Sequence, residues 1–499
     1  MGNASKKLAA KCTFLNRDEQ KYIANTFRQA SKNKDTLKED ELIKYWGPSI
    51  DPRMSQYLTN YLFGIGPSKT DNCTFNKFAE LYVYNVRGEF VKYIIINRHF
   101  RECLTSGTPV EVTLVNLYCE CIASTYIKMV KSTSSGRAYK WIEKGFRGKA
   151  GHIQALGESL AATIDELEKQ RQHYSEDELA KWIHANTLLQ AMTELVFVTL
   201  YGVEVREDED GNRYGTSFPC LLPRPDGIDP LPDYPAFIDL SHIVWLNSHL
   251  PQEYQHKWRF LFSSHIHGQS FSTMAGRIQD QGPSLLIIED SNGHIFGGYA
   301  PEPWVLGPNF HGTERSFLFA LAPKMRHYSA TTFNNHYQYI NMQTKTLPNG
   351  LLMGGQFEFA GIWINASPFG DGSSAESCIT YRGYRQLSKE TKFHIRSIEV
   401  WGVGERPLSV KESVSSSLVY VLDSHKSDRS FLAMCGKSTG ASDGLREQAS
   451  DQAIYLQCFF YYFQDEREQS ILDRNPEAKA VLEMAGRQRH SEGLREPDS

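Results

Sequence analysis

The chain has 499 residues, which at about 150 residues per domain corresponds to roughly three folded units. Its 54 Lys and Arg against 58 Asp and Glu leave a net charge of −4, a balance that gives no reason to expect nucleic acid as a partner. With 40% hydrophobic and 12% aromatic residues the composition is that of a folded globular protein, and the longest nearly apolar run, 453–463, contains Gln457 and is too short for a spanning helix of about 20 residues.

Residues 1–12 read as a basic, lipidated N-terminus. No secretory apolar core is present, because Lys11 interrupts the stretch from Leu8 to Leu15. Gly2 is expected to carry a myristoyl group, although Lys6 stands where the standard motif has Ser or Thr. One acyl chain holds a membrane only marginally; Lys6, Lys7 and Lys11, with no acid before Asp18, would add an electrostatic signal. Nine cysteines without a CxxC pair suit a reduced, cytoplasmic setting, which makes the sequons at Asn3, Asn72 and Asn365 chance matches.

Residues 13–205 are expected to be all-α, with apolar positions at steps of three and four, such as Leu179, Trp182, Ile183, Leu188, Leu189 and Met192. Within them Phe27 to Leu42 has the outline of an EF-hand, with Leu37 at the central apolar position and Glu41 at the twelfth. Ala30, Lys32 and Lys34 then occupy ligand positions that need oxygen, and a second copy, Gly66 to Phe78, has Lys77 at its twelfth position. Both are therefore read as degenerate, structural units, and no metal or cofactor is expected. Residues 206–236, with the acidic run Glu207 to Asp210 and six prolines from Pro219 to Pro235, read as a linker.

From 237 to 405 the texture becomes that of short strands. Ser284 to Asp290 and His294 to Tyr299 flank Asn292-Gly293, a hairpin signature, and further strands are expected at Ser316 to Leu321, Leu351 to Phe359, Gly361 to Asn365, Ser377 to Tyr381 and Ile395 to Val403. Residues 272–281 are expected to include a helix. Among reactive groups, His265 and His267 would share one face if they lay on a strand, and Ser270 follows in His-Gly-Gln-Ser. No third metal ligand, no nucleophile elbow and no phosphate-binding glycine loop accompanies them. Glu289 and Asp290 read as solvated turn residues.

Residues 406–464 read as a mostly irregular insertion or linker, and 465–499 as a short helix with a tail. Asn475 and Pro476 start that helix, which runs to Ala485, and Val481 and Leu482 with Arg487 and Arg489 form a candidate partner-binding arm.

Seven ordered blocks, among them Trp258-Arg-Phe-Leu-Phe, His267-Gly-Gln-Ser-Phe, Gly282-Pro-Ser-Leu-Leu-Ile-Ile-Glu-Asp, Gly293-His-Ile-Phe-Gly-Gly-Tyr, Phe357-Glu-Phe-Ala-Gly-Ile-Trp and Ile398-Glu-Val-Trp-Gly, resemble the TLDc domain. The resemblance implies an α+β multidomain protein: N-terminal helices with EF-hand-like units, a TLDc sandwich of antiparallel sheets flanked by helices, then the C-terminal helix. It also implies a non-enzymatic module linked to oxidative-stress resistance and to binding the vacuolar H+-ATPase. The whole layout resembles the branch of the family that works with mTOR signalling components at the lysosomal membrane, so a cytoplasmic adaptor peripheral to that membrane is expected. The competing expectation is a protective or hydrolytic enzyme using His267, Ser270 or a reactive cysteine such as Cys378. One departure is Gly354-Gly355-Gln356, where the family usually has three glycines.

Overall fold

The computed structural model describes residues 15–407, apart from 88–109, 135, 166–172, 205, 208–212, 215–220 and 230–233. The expected acylation site Gly2 with Lys6, Lys7 and Lys11, the expected insertion 406–464 beyond Pro407, and the expected C-terminal arm with Val481, Leu482, Arg487 and Arg489 lie outside the described residues.

The N-terminal lobe is two helix–strand–helix units: α1 (Arg17–Ala30), β1 (Thr36–Lys38) and α2 (Glu39–Trp46), then α3 (Pro52–Phe63), β2 (Asn72–Thr74) and α4 (Phe75–Tyr82). Asn16 starts α1 with a reciprocal cap, accepting from the Glu19 N–H at 2.8 Å while the Glu19 carboxylate accepts from the Asn16 N–H at 3.0 Å. β1 and β2 pair antiparallel with Leu37 opposite Cys73, so the two degenerate loops are tied together as expected for paired EF-hand-like units.

Five helices follow: α5 (Val112–Lys131), α6 (Gly136–Glu143), α7 (Ala150–Ala162), α8 (Glu176–Ala185) and α9 (Thr187–Leu200). α9 is buried on all sides from Leu188 to Val198, as a central helix apolar around its whole circumference must be. Its end closes the lobe: Tyr201 stacks near Phe78 with ring centres 4.6 Å apart and donates its hydroxyl to the Phe78 carbonyl at 2.7 Å. α5 and α7 approach closely at Gly157, where a Cβ would stand 2.6 Å from the Glu120 Cα.

The second half contains β3 (Arg224–Asp226), α10 (Leu240–His249), β4 (Lys257–Ser263), α11 (Ser264–His267), α12 (Phe271–Ile278), β5 (Ser284–Asp290), β6 (Ile295–Ala300), β7 (Phe317–Ala322) and β8 (Arg326–Ser329). It continues through β9 (Tyr339–Asn341), β10 (Gly350–Met353), β11 (Ile362–Asn365), β12 (Asp371–Ser373) and β13 (Lys392–Val403). One sheet runs β8-β7-β6-β5-β13-β4-β3; a second runs β12-β11-β10-β9 and joins the first through the start of β13. All pairs are antiparallel except β3 with β4. The sandwich flanked by helices expected from the resemblance is thus observed.

Leu286, Ile288, Phe296, Leu318, Ile398 and Val400 face the second sheet, whereas Leu285, Ile287, Tyr299, Phe319, Trp258 and Trp401 share a core with the helices. The first sheet is therefore covered on both faces, which is why Ser284 to Ile288 has no polar alternation. Helices and sandwich form one compact unit with a common core.

Several local expectations differ from what is observed. The Ser377 to Tyr381 segment is no strand; it makes a single bridge, Tyr381 to Ala330, and its Thr380 hydroxyl bonds instead to Asn334 and to the Gly355 N–H. Leu351 to Phe359 is a strand only as far as Met353, because Gly354 and Gly355 turn the chain at φ +76° and +82°. At both, a Cβ would strike the Tyr381 ring or the Phe359 carbonyl; Gln356, exposed and outside the left-handed region, needs no glycine. Within 206–236, the stretch expected as a linker, Leu221, Leu222 and Ile228 are buried and β3 lies on the sheet edge, where Pro225 gives up no ladder hydrogen bond. In the hairpin, Gly293 alone takes positive φ.

Candidate functional site

The residues that could carry chemistry in the sandwich do not converge. His265 and His267 lie in the helical turn α11, not on a strand, and residues two apart on a helix point in nearly opposite directions. His265 reaches the Ser397 hydroxyl at 2.5 Å; His267 accepts from the Ser263 N–H at 3.1 Å and stacks on Phe260 and Phe262. Ser270 caps α12, accepting from the Thr273 N–H at 3.3 Å. Cys378 is buried against Gly354 and Gly361, and burial pushes its thiol up, away from a reactive thiolate. Asp290, expected in solvent, is fully buried: it accepts from the Asn292 and His294 N–H groups at 2.9 Å and from the Ser388 hydroxyl at 2.6 Å, organising the hairpin turn.

In the first EF-like loop the Lys34 ammonium lies 2.8 Å from the Glu41 carboxylate. The lysine hydrogen bond holds Glu41 below the usual carboxylate range, so the twelfth-position acid is already satisfied by a cation from its own loop. Lys69, from the partner loop, pairs with Glu39 at 2.7 Å.

Two buried carboxyl groups mark the junction of the helices with the sandwich. Asp239 caps α10 through the Ser241 N–H at 3.0 Å and also caps α7, through the Lys149 N–H and the His152 ring, each at 2.8 Å. Burial alone would raise this carboxyl, but the His152 hydrogen bond, the nearby His242 and the Lys149 N–H together hold it below the ordinary range. His242 accepts from the Asp239 N–H at Nδ1, and burial pushes its pKa down to about 4, so it is neutral with its proton on Nε2.

His152, Asp239 and His242 have the composition of a metal site, which sequence reading missed because His152 lies 87 residues from Asp239. The caps argue for a latch instead. A metal on His242 Nε2 would need the proton moved to Nδ1, which faces an N–H, and both Asp239 oxygens already accept donors.

The second carboxyl, Glu399, is fully buried in an aromatic seam. Trp401 stacks obliquely on Trp141 of α6 at 5.3 Å and on Phe260 at 5.3 Å, while Phe146 packs on Tyr234 at 5.0 Å. All three tryptophans donate: Trp141 to the Pro223 carbonyl, Trp258 to Asn247 and Trp401 to Glu399. Burial lifts Glu399 to about 7, opposed by the single indole hydrogen bond and the Tyr234 phenol beside it.

Residues 232–404 match the TLDc domain family. The chain is 45% identical over 229 residues to the mTOR-associated protein MEAK7 of Xenopus laevis, covering 46% of this chain and 48% of that protein. It is 35% identical over 268 residues to the human protein of that name, covering 53% and 47%. It is 30% identical over 168 residues to human nuclear receptor coactivator 7, covering 33% of this chain and 17% of that one. The matches span about half the length of the MEAK7 relatives, and they reach beyond the domain itself. No described helix is long and apolar enough to cross a membrane. The chain therefore carries a TLDc domain, and its likeness to the proteins named as mTOR-associated extends past that domain's edges.

Proposed function

We propose that this protein is a non-catalytic adaptor of mTOR-related signalling, peripheral to the lysosomal membrane, that binds the vacuolar H+-ATPase through its TLDc domain. The observation that carries the reading is the likeness, over about half the chain, to proteins named as mTOR-associated. The structural duties of His267, Ser270 and Cys378 support the non-catalytic part. Acylation at Gly2, aided by Lys6, Lys7 and Lys11, would supply membrane attachment, and the 476–485 helix a further contact.

Affinity purification of the tagged full chain from cells tests this. Co-purification of proton-pump subunits with mTOR components is the expected result, with membrane association lost in Gly2→Ala. Turnover of a hydrolysable or peroxide substrate by the pure chain, with no stable complex, would overturn it.

A further inference from the structure

A cleft of about 930 Å³ opens between α8 and α9 on one side and β8 with the 382–385 turn on the other. Its floor is apolar, formed by Trp182, Trp245, Leu160 and Met325 among others, and its walls carry Lys181, Arg326, Arg382 and Arg385. No described residue lining it is acidic, and none of the four cations is ion-paired within the described residues.

The fold brings these charges together from three separate segments. Arg326 stands on the edge strand β8. The 382–385 turn is tied to that strand by the Arg382 N–H to the Ser329 carbonyl at 2.8 Å, and Gly383, at φ +61°, reverses the chain between the two arginines. Lys181 faces them from α8. Basic residues on an edge strand commonly discourage edge-to-edge pairing, but that role calls for none on the opposing helix. Four like charges around one concave space repel each other until a counter-charge enters, and planar guanidinium groups match phosphate oxygens two at a time. The volume lies in the range of small-molecule sites, and the apolar floor with the His249–His327 stack, 4.7 Å between ring centres, suits a ring-shaped body.

We propose that this cleft binds a small molecule bearing two or more phosphate groups on a compact ring. Calorimetry on the full chain tests it, with inositol hexakisphosphate and ATP as probes. At least one probe is expected to bind with a micromolar Kd that rises tenfold or more in Arg326→Ala/Arg385→Ala. Lys181→Glu, on the opposite wall and exposed, should weaken it at least threefold, which keeps the result readable if the double variant loses its fold. Arg277→Ala, on the remote helix α12, should leave the Kd unchanged. Failure of both probes to bind would overturn the proposal. So would binding that survives the cleft variants, or that weakens equally in Arg277→Ala. Capture of phosphoinositide vesicles with neither soluble probe bound would assign the charges to a membrane surface and also overturn it.

Discussion

Asp239 and Glu399 are two buried carboxyl groups at the same junction, and their surroundings push them in opposite directions. Asp239 receives donors from two helix N-termini and an imidazole, whereas Glu399 has one indole N–H, the Tyr234 phenol beside it and a ring of aromatic carbon. The number of donors decides the outcome: with burial common to both, the first stays ionised and the second is lifted to about 7. One end of the junction is thus a charged latch between helices, and the other is a dry seam with a proton close to leaving.

Breaking the seam should have the largest effect. Trp141→Ala removes a fully buried indole that touches both Trp401 and Trp258, and should cost about 4 kcal/mol, read as a fall in melting temperature on the order of 10 °C. If the seam's dryness sets the Glu399 pKa, the same variant should also make stability rise between pH 4.5 and 7, because the opposing His242 contribution is then left uncompensated.

Asp239→Asn should cost about 3 kcal/mol, because an amide cannot accept at both positions and leaves a buried N–H or the His152 ring unpaired. A depressed carboxyl stabilises above its unfolded pKa and loses that contribution as pH falls through the folded value, so the deficit should shrink below about pH 4. Chemical denaturation at pH 7 and pH 3.5 checks both statements; an equal deficit at both would mean that the charge of Asp239 does not matter.

Glu399→Gln should act in the other direction. A raised carboxyl binds its proton more readily when folded, so its contribution is present below about pH 4.5 and is lost as pH rises to about 7. That displacement corresponds to about 3 kcal/mol, of which the new amide N–H, short of an acceptor, takes back roughly 1. The variant should therefore be about 2 kcal/mol more stable than the parent at pH 8 and no more stable at pH 4.5. His242, with its pKa lowered to about 4, slopes oppositely: its neutral burial is favourable above about pH 6.5 and is lost as pH falls toward 4, so the intact chain should show a shallow profile that Glu399→Gln makes rise with pH.

The smallest effect is expected in the N-terminal lobe. Micromolar Ca²⁺ should leave the melting temperature of the full chain within 1 °C or so, as loops with lysines at ligand positions and too few carboxylates predict. A calorimetric site that disappears in Glu41→Gln would contradict the role given to Lys34.

What could be read from the sequence follows from where the physics is local. The paired EF-like units and the Ser284–Tyr299 hairpin were legible because spacing and turn chemistry specify them, whereas the amphipathic pattern read across 179–192 is two helices, the second of them buried all round. β8 and β9, with four and three residues, carry too little pattern to stand out. Ser377 to Tyr381 misled because β-branched residues also suit a loop whose hydroxyls have loop partners, as Thr380 does. Ile-Glu-Val alternation at 398–400 reads as a polar residue turned to water, yet that strand is covered on both faces, so Glu399 is enclosed. The latch needed a contact between residues 87 apart, and the cleft needed three segments brought together; neither leaves a trace in local spacing.

The Lys34–Glu41 pair has a consequence for timing. In a calcium sensor the cation arrives from solution, so the lobe's shape follows the concentration of the ion and changes whenever that concentration does. Here the cation is tethered seven residues away along the same chain, at a local concentration that does not vary. The twelfth-position acid thus carries a built-in partner where related architectures wait for one from solution.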